Sequence, residues 1–92
     1  MLGRGVVPAD TPILRADDLG VLRGDGVFET VHVRDGWPWL LDEHLARMAR
    51  SAARLDLALP PAVAVAGLAA EICAQWPAEQ EGALRLVCTR GV

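Results

Sequence analysis

Lysine is absent from this sequence: all nine basic residues are arginines. A chain without lysine has no side-chain amine to offer as a Schiff-base nucleophile. Cysteine is scarce. Cys73 and Cys88 stand in apolar segments without the paired spacing of a zinc or redox motif, so they read as reduced, buried thiols rather than a disulfide or a metal site. The basic residues neither outnumber the acidic ones nor form a run, and a net charge of −3 argues against a nucleic-acid footprint. No stretch approaches the roughly eighteen uncharged apolar residues of a membrane span. The opening "MLGRGVVPAD" lacks the charged and then apolar regions of a secretory leader. The expectation is a cytoplasmic chain that engages neither membrane nor nucleic acid.

What is present suits one small domain. Hydrophobic residues make up 52% of the 92 and charged residues 23%, a globular composition, and a chain of this size buries only roughly 60–65% of its unfolded surface. The first twenty residues, rich in Gly, Pro and Asp, read as a loop-dominated lead-in with short extended pieces at Val6-Val7 and Pro12-Ile13-Leu14. From Val27 the pattern sharpens. "VFETVHV" alternates Val27, Glu29, Val31 and Val33 against Phe28, Thr30 and His32, which is strand periodicity. Asp35-Gly36 then reads as a two-residue hairpin turn, and "WPWLL" as a return strand whose Pro38 belongs at an edge.

Asp42 is placed to cap a helix over "EHLARMARSAARLDL". Leu45, Met48, Ala49, Ala52 and Leu55 share one face of it, and Arg47, Arg50 and Arg54 the opposite face. Beyond "LPP" the alanine-rich "AVAVAGLAAEICAQW" predicts a second helix, with Pro60 and Pro61 in its first turn and Pro77 at its end. "ALRLVCT" alternates again as a third strand. These elements compose a two-layer α+β domain, an antiparallel sheet with both helices on one face.

Each candidate group has a structural reading beside a functional one. Gly24-Asp25-Gly26 leads into a strand, whereas a phosphate cradle leads into a helix N-terminus, so a turn is favoured. The arginine stripe is a solvated face unless it borders a cleft, where one guanidinium would grip a phosphate through paired hydrogen bonds. His32 and His44 have no third ligand at metal spacing and read as hydrogen-bonded structural histidines. Glu29, among valines, needs a backbone amide or an arginine beside it and reads as a group that holds the sheet. For Trp37, Trp39 and Trp76 packing is the default.

Taken in order, "ADDLGVLRGDGVFETVHVRDG", "LLDEHLARMARSAARLDL" and "ALRLVCTRG" resemble the N-terminal domain of the class IV pyridoxal-phosphate enzymes, which include branched-chain and D-amino-acid aminotransferases and aminodeoxychorismate lyase. The resemblance implies that residues 1–92 are the small domain of such an enzyme, a truncated one. Its Schiff-base lysine would lie in a C-terminal domain absent from this chain, so the chain alone is expected to be inactive. By motif, Arg47 in "EHLAR" would bind the phosphate of pyridoxal 5′-phosphate. Phe28 and Thr30 would line the substrate side, Arg23 its rim, and Arg90 the region that reads a substrate carboxylate. The wording around "RGDGVFET" is most similar to lyases that release pyruvate from 4-amino-4-deoxychorismate to leave 4-aminobenzoate for folate synthesis. D-amino-acid or branched-chain aminotransferase activity is the alternative. Homodimers acting on amino-acid-like substrates are implied, and a non-catalytic fragment that only self-associates or binds a partner is the remaining reading.

Overall fold

The computed structural model describes all 92 residues. Its elements run α1 (Leu19–Arg23), β1 (Gly26–Arg34), β2 (Trp37–Pro38), α2 (Leu41–Arg54), α3 (Ala62–Cys73) and β3 (Gly82–Thr89). The strands form one antiparallel sheet in the order β2-β1-β3. The expected two-layer α+β architecture is therefore present, with α2 packed on β1 and α3 beside β2.

The long strand β1 sits in the middle because its alternation gives it one face to bury. Val27, Glu29, Val31 and Val33 are buried while Phe28, Thr30, His32 and Arg34 are exposed. Register with β3 pairs Gly26 with Thr89, Glu29 with Leu86 and Val31 with Leu84, so the two inner faces coincide. Gly26 permits this closeness, since a Cβ there would meet the Cys88 carbonyl oxygen at 2.6 Å. The hairpin to β2 turns through Asp35 (φ 52°) and Gly36 (φ 72°), both left-handed, as a type I′ turn requires. Pro38 lies on the edge strand, where a missing N–H costs no ladder bond.

On α2 the core-facing residues are Met48 and Ala52, joined in one cluster by Val27 and Leu57. Leu55, expected in that stripe, is the C-cap and is exposed; the chain reverses through Asp56 (φ 51°) and buries Leu57 in its place. Capping also differs from expectation. Leu40, in a left-handed conformation, occupies the N-cap of α2, and Asp42 falls inside the first turn, where its charge still favours the helix dipole. Pro61 stands at the N-cap of α3 rather than within its first turn, and the helix ends at Cys73, short of Trp76.

The lead-in holds a helix that the Gly-and-Asp-rich composition disguised. Asp18 accepts a hydrogen bond from the Gly20 amide and Gly24 closes the other end in the left-handed region, so five residues complete α1 between two strong caps. Thr89 Oγ1 donates to the buried Asp18 at 3.0 Å, and the Leu19 amide to the Gly91 carbonyl at 2.7 Å, which ties α1 to the end of β3. Val6-Val7 and Pro12-Ile13-Leu14 join no strand.

Packing as the default for the tryptophans is also corrected. Trp37 is 68% exposed, and Trp39 and Trp76 are more than two-fifths exposed. The reason is the single helical layer: a sheet covered on one side leaves large residues at its margins in solvent. Arg34 stacks over Trp39 at 4.4 Å, and Trp76 lies against Gly82, where any Cβ would collide with the indole.

Truncation of the buried Met48 to alanine is expected to cost about 2–5 kcal/mol by loss of burial and cavity formation. Val63→Ala, at an 81% exposed site, should stay within about 0.5 kcal/mol. Urea denaturation of both variants checks the pair, and equal losses would mean that the α2–β1 contact is not the core.

Candidate functional site

Glu29 is the one carboxylate on the buried face of β1, with 5% of its side chain exposed. Two residues one turn apart on α2 compensate it. Arg47 donates from Nη2 to Oε1 at 2.7 Å and from Nε to Oε1 and Oε2 at 3.1 and 3.0 Å. His44 Nδ1 lies 2.6 Å from Oε1. A carboxylate only accepts, so Nδ1 carries the proton and Nε2 faces away from the pair. The Arg47 guanidinium is the larger influence and holds the Glu29 carboxyl below its usual range against the opposing effect of burial; His44 adds to the same direction. Reciprocally, Glu29 raises Arg47.

Arg47 is thus not simply turned from the core, as the helical spacing suggested. Its side chain remains 61% exposed, yet its inner edge reaches back onto the strand. His44 was legible as a structural histidine but not as the second partner of Glu29. The signal was its position three residues before Arg47, which puts both on one stretch of helix surface.

The outer side of this pair opens on a shallow cleft of about 290 Å³ lined by Leu40, Glu43, His44, Arg47 and Arg50. Arg50, read from the sequence as a surface residue, is exposed and borders the same cleft. Glu29 consumes the Nε edge of Arg47, while Nη1 bonds to nothing in the chain. Those free donors are of the kind that grip a phosphate in pairs, and Arg50 adds a second cation to a cleft whose one carboxylate is Glu43.

Phe28 and Thr30 lie on the opposite, uncovered face of the sheet, so the strand separates them from Arg47. Phe28 is 57% exposed and carries the Arg85 guanidinium 4.2 Å from its ring centroid. Thr30 pairs with Arg85 across the strands. Arg23 ends α1 and is exposed. Arg90 is committed within the chain: Nε donates to Asp25 at 2.8 Å, Nη1 to the Asp56 carbonyl at 3.2 Å and Nη2 to the Leu55 carbonyl at 2.6 Å. It fastens the Gly24-Asp25-Gly26 turn to the end of α2, and Asp25 is the main cause of its raised pKa.

No group of acidic, cysteine and histidine side chains is arranged to hold a metal ion, and no helix is long and apolar enough to cross a membrane. Both cysteines are free, and burial pushes their thiols up.

A model of the class IV amino-transferase family matches residues 26–92, from the first residue of β1 onward. The chain belongs to this family. It is 48% identical over 83 residues to a bifunctional aminodeoxychorismate lyase / D-amino acid transaminase of Mycobacterium tuberculosis, covering 87% of this chain and 28% of that protein. A D-alanine aminotransferase of Bacillus licheniformis is 33% identical over 75 residues, 82% of this chain and 26% of that one. Among solved structures, the PLP-bound form of a hypothetical aminotransferase from M. tuberculosis superposes with a TM-score of 0.87 at 42% identity, over 92% of this chain and 31% of that chain. The 4-amino-4-deoxychorismate lyase of Pseudomonas aeruginosa gives a TM-score of 0.74 at 38% identity, over 88% of this chain and 28% of that one. The chain therefore spans about three-tenths of the length of these class IV relatives.

The Glu29 pair makes a pH prediction. A glutamate whose folded pKa lies below its unfolded value of about 4.3 stabilises the fold fully above that value, and the contribution drains away as pH falls through the depressed one. Wild type and Glu29→Gln are therefore expected to differ most near neutral pH and to converge on acidification, read as urea midpoints from neutrality down to pH ~3. Parallel curves would assign the acid sensitivity to other carboxylates.

Proposed function

We propose that this chain is the small domain of a pyridoxal-phosphate enzyme of the aminodeoxychorismate lyase type, and that its α2 supplies the grip on the cofactor phosphate. The observation that carries the reading is Arg47: an exposed guanidinium, anchored on a buried carboxylate, with its outer donors free at a cleft. Pyridoxal phosphate, when bound, supplies an electron sink for the carbanion that forms on the substrate. Arg47 would neutralise and orient its phosphate, with Arg50 adding positive charge and His44 keeping Glu29 in place. None of these residues is lysine, so none of their side chains would supply the Schiff-base amine.

Phe28 and Thr30 are assigned to the substrate side, with Arg23 at its rim. With its donors committed to Asp25 and α2, Arg90 contributes by holding the turn that launches β1. Release of pyruvate to leave 4-aminobenzoate, a folate precursor, is the favoured reaction, in a cytoplasmic homodimer whose exposed Trp37 and Val87 would find cover. Transamination of D-amino acids is the second reading, favoured by the relative whose name carries both activities.

The test is a chimera in which residues 1–92 replace the matching segment of the M. tuberculosis relative. Retained cofactor and 4-aminobenzoate release are expected. In that chimera Arg47→Ala should weaken cofactor affinity roughly tenfold or more, the scale of a lost charge-assisted contact. Phe28→Ala should change substrate preference and leave cofactor affinity in place. A folded chimera that carries no cofactor would support the non-catalytic reading instead, and D-amino-acid transamination without 4-aminobenzoate release would favour the second.

A further inference from the structure

Glu29 is unexpected where it stands. Its neighbours on the buried face of β1 are Val27, Val31 and Val33, and Leu86 lies opposite it across the ladder. An apolar side chain there would extend the core with no desolvation penalty, whereas a carboxylate requires partners. The partners it has come from one side only. Oε1 receives both His44 Nδ1 and Arg47 Nη2, while Arg47 Nε bridges Oε1 and Oε2. Of the three, Glu29 is nearly enclosed, His44 is 19% exposed and Arg47 is mostly in solvent. Rigidity therefore runs outward, from the central strand through the carboxylate to a side chain that has little packing of its own. The donors that this fork leaves over are those on Nη1 and the second hydrogen of Nη2.

We infer that Glu29 is a positioning residue for phosphate recognition: it fixes the Arg47 guanidinium so that its outer donors meet a phosphate group in the cleft bordered by Glu43, His44 and Arg50. This rests on the reading of Arg47 as the phosphate ligand. A carboxylate beside an anion site repels the anion, so if Glu29 acted only through its charge, neutralising it would tighten phosphate binding. As a positioner, the same change loosens it. Arginine loses rotamer freedom when it grips a ligand, and a side chain already held in its binding geometry loses less.

The experiment uses the 92-residue chain with inorganic phosphate and with pyridoxine 5′-phosphate, which has no aldehyde to react with the N-terminal amine. Affinities are measured calorimetrically for wild type, Arg47→Ala, Glu29→Gln and Glu29→Asp, each checked for folding by circular dichroism. Arg47→Ala is expected to abolish binding. Glu29→Gln should weaken it several-fold, and Glu29→Asp should recover part of the loss. Should Glu29→Gln fail to fold, the wild-type chain decides the point by nitrogen-15 NMR of arginine. The Arg47 Nε–H signal should keep its paired position while its Nη signals shift on adding pyridoxine 5′-phosphate. Movement of Nε to the position of a free arginine would show that phosphate displaces Glu29, which overturns the inference. Unchanged or tighter binding by Glu29→Gln, with Arg47→Ala dead, overturns the inference and leaves the phosphate reading standing. No binding by wild type, or full binding by Arg47→Ala, overturns the phosphate reading and the inference with it.

Discussion

A carboxylate on the apolar side of a sheet is the constraint around which this domain is arranged. Removing Glu29 from water is unfavourable unless its oxygens are paired. The two side chains that pair them sit on α2, which fixes the rotation of that helix over β1 together with the packing of Met48 and Ala52. The apolar contacts tolerate some sliding. A three-donor arrangement on a single carboxyl group does not, because hydrogen bonds weaken steeply with angle. Helix and strand are thereby locked in one relative position, and the arginine that completes the lock is also the group left facing the cleft. The same side chain thus closes the core and lines the surface beyond it.

Much of this was legible in the sequence wherever a period was present. The alternation of Val27, Glu29, Val31 and Val33, the Asp35-Gly36 turn and the edge position of Pro38 all follow from the two-residue repeat of a strand and the backbone geometry of a two-residue loop. The need of Glu29 for a partner, a backbone amide or an arginine, was likewise readable from its neighbours, and the fold supplies the arginine. Period failed where caps decide. Helix α1 is too short to show a repeat and is defined by Asp18 and Gly24 at its ends. The start of α2 is set by a left-handed Leu40, a conformation that nothing in leucine's chemistry announces.

The site divided in the same way. Arg47 was marked by its motif, but a helical wheel knows only direction and placed it outward, missing that a long side chain can leave the helix surface and turn back. Arg90 was the harder case. Its position at the end of β3 is clear from the sequence, whereas its engagement with Asp25 and with the carbonyls at the end of α2 depends on three segments meeting. Contacts of that kind carry no local signature.

The same meeting of segments has a consequence for how the domain forms. Strand β1 pairs with β3 from Gly26 against Thr89 at one end to Val33 against Gly82 at the other, and α1 is tied down by Thr89 and Gly91 at the far end of the chain. Sheet closure is therefore non-local: α2 and α3 intervene in the chain before the central strand acquires its main partner. Folding of such a topology is slow compared with helical domains of equal size. During synthesis, β1 leaves the ribosome well before the strand that will cover its edge. For that interval its valine-rich face and unpaired amides are open to other chains, and the charge of Glu29, awkward in the finished core, interrupts the run of apolar residues that would otherwise invite aggregation.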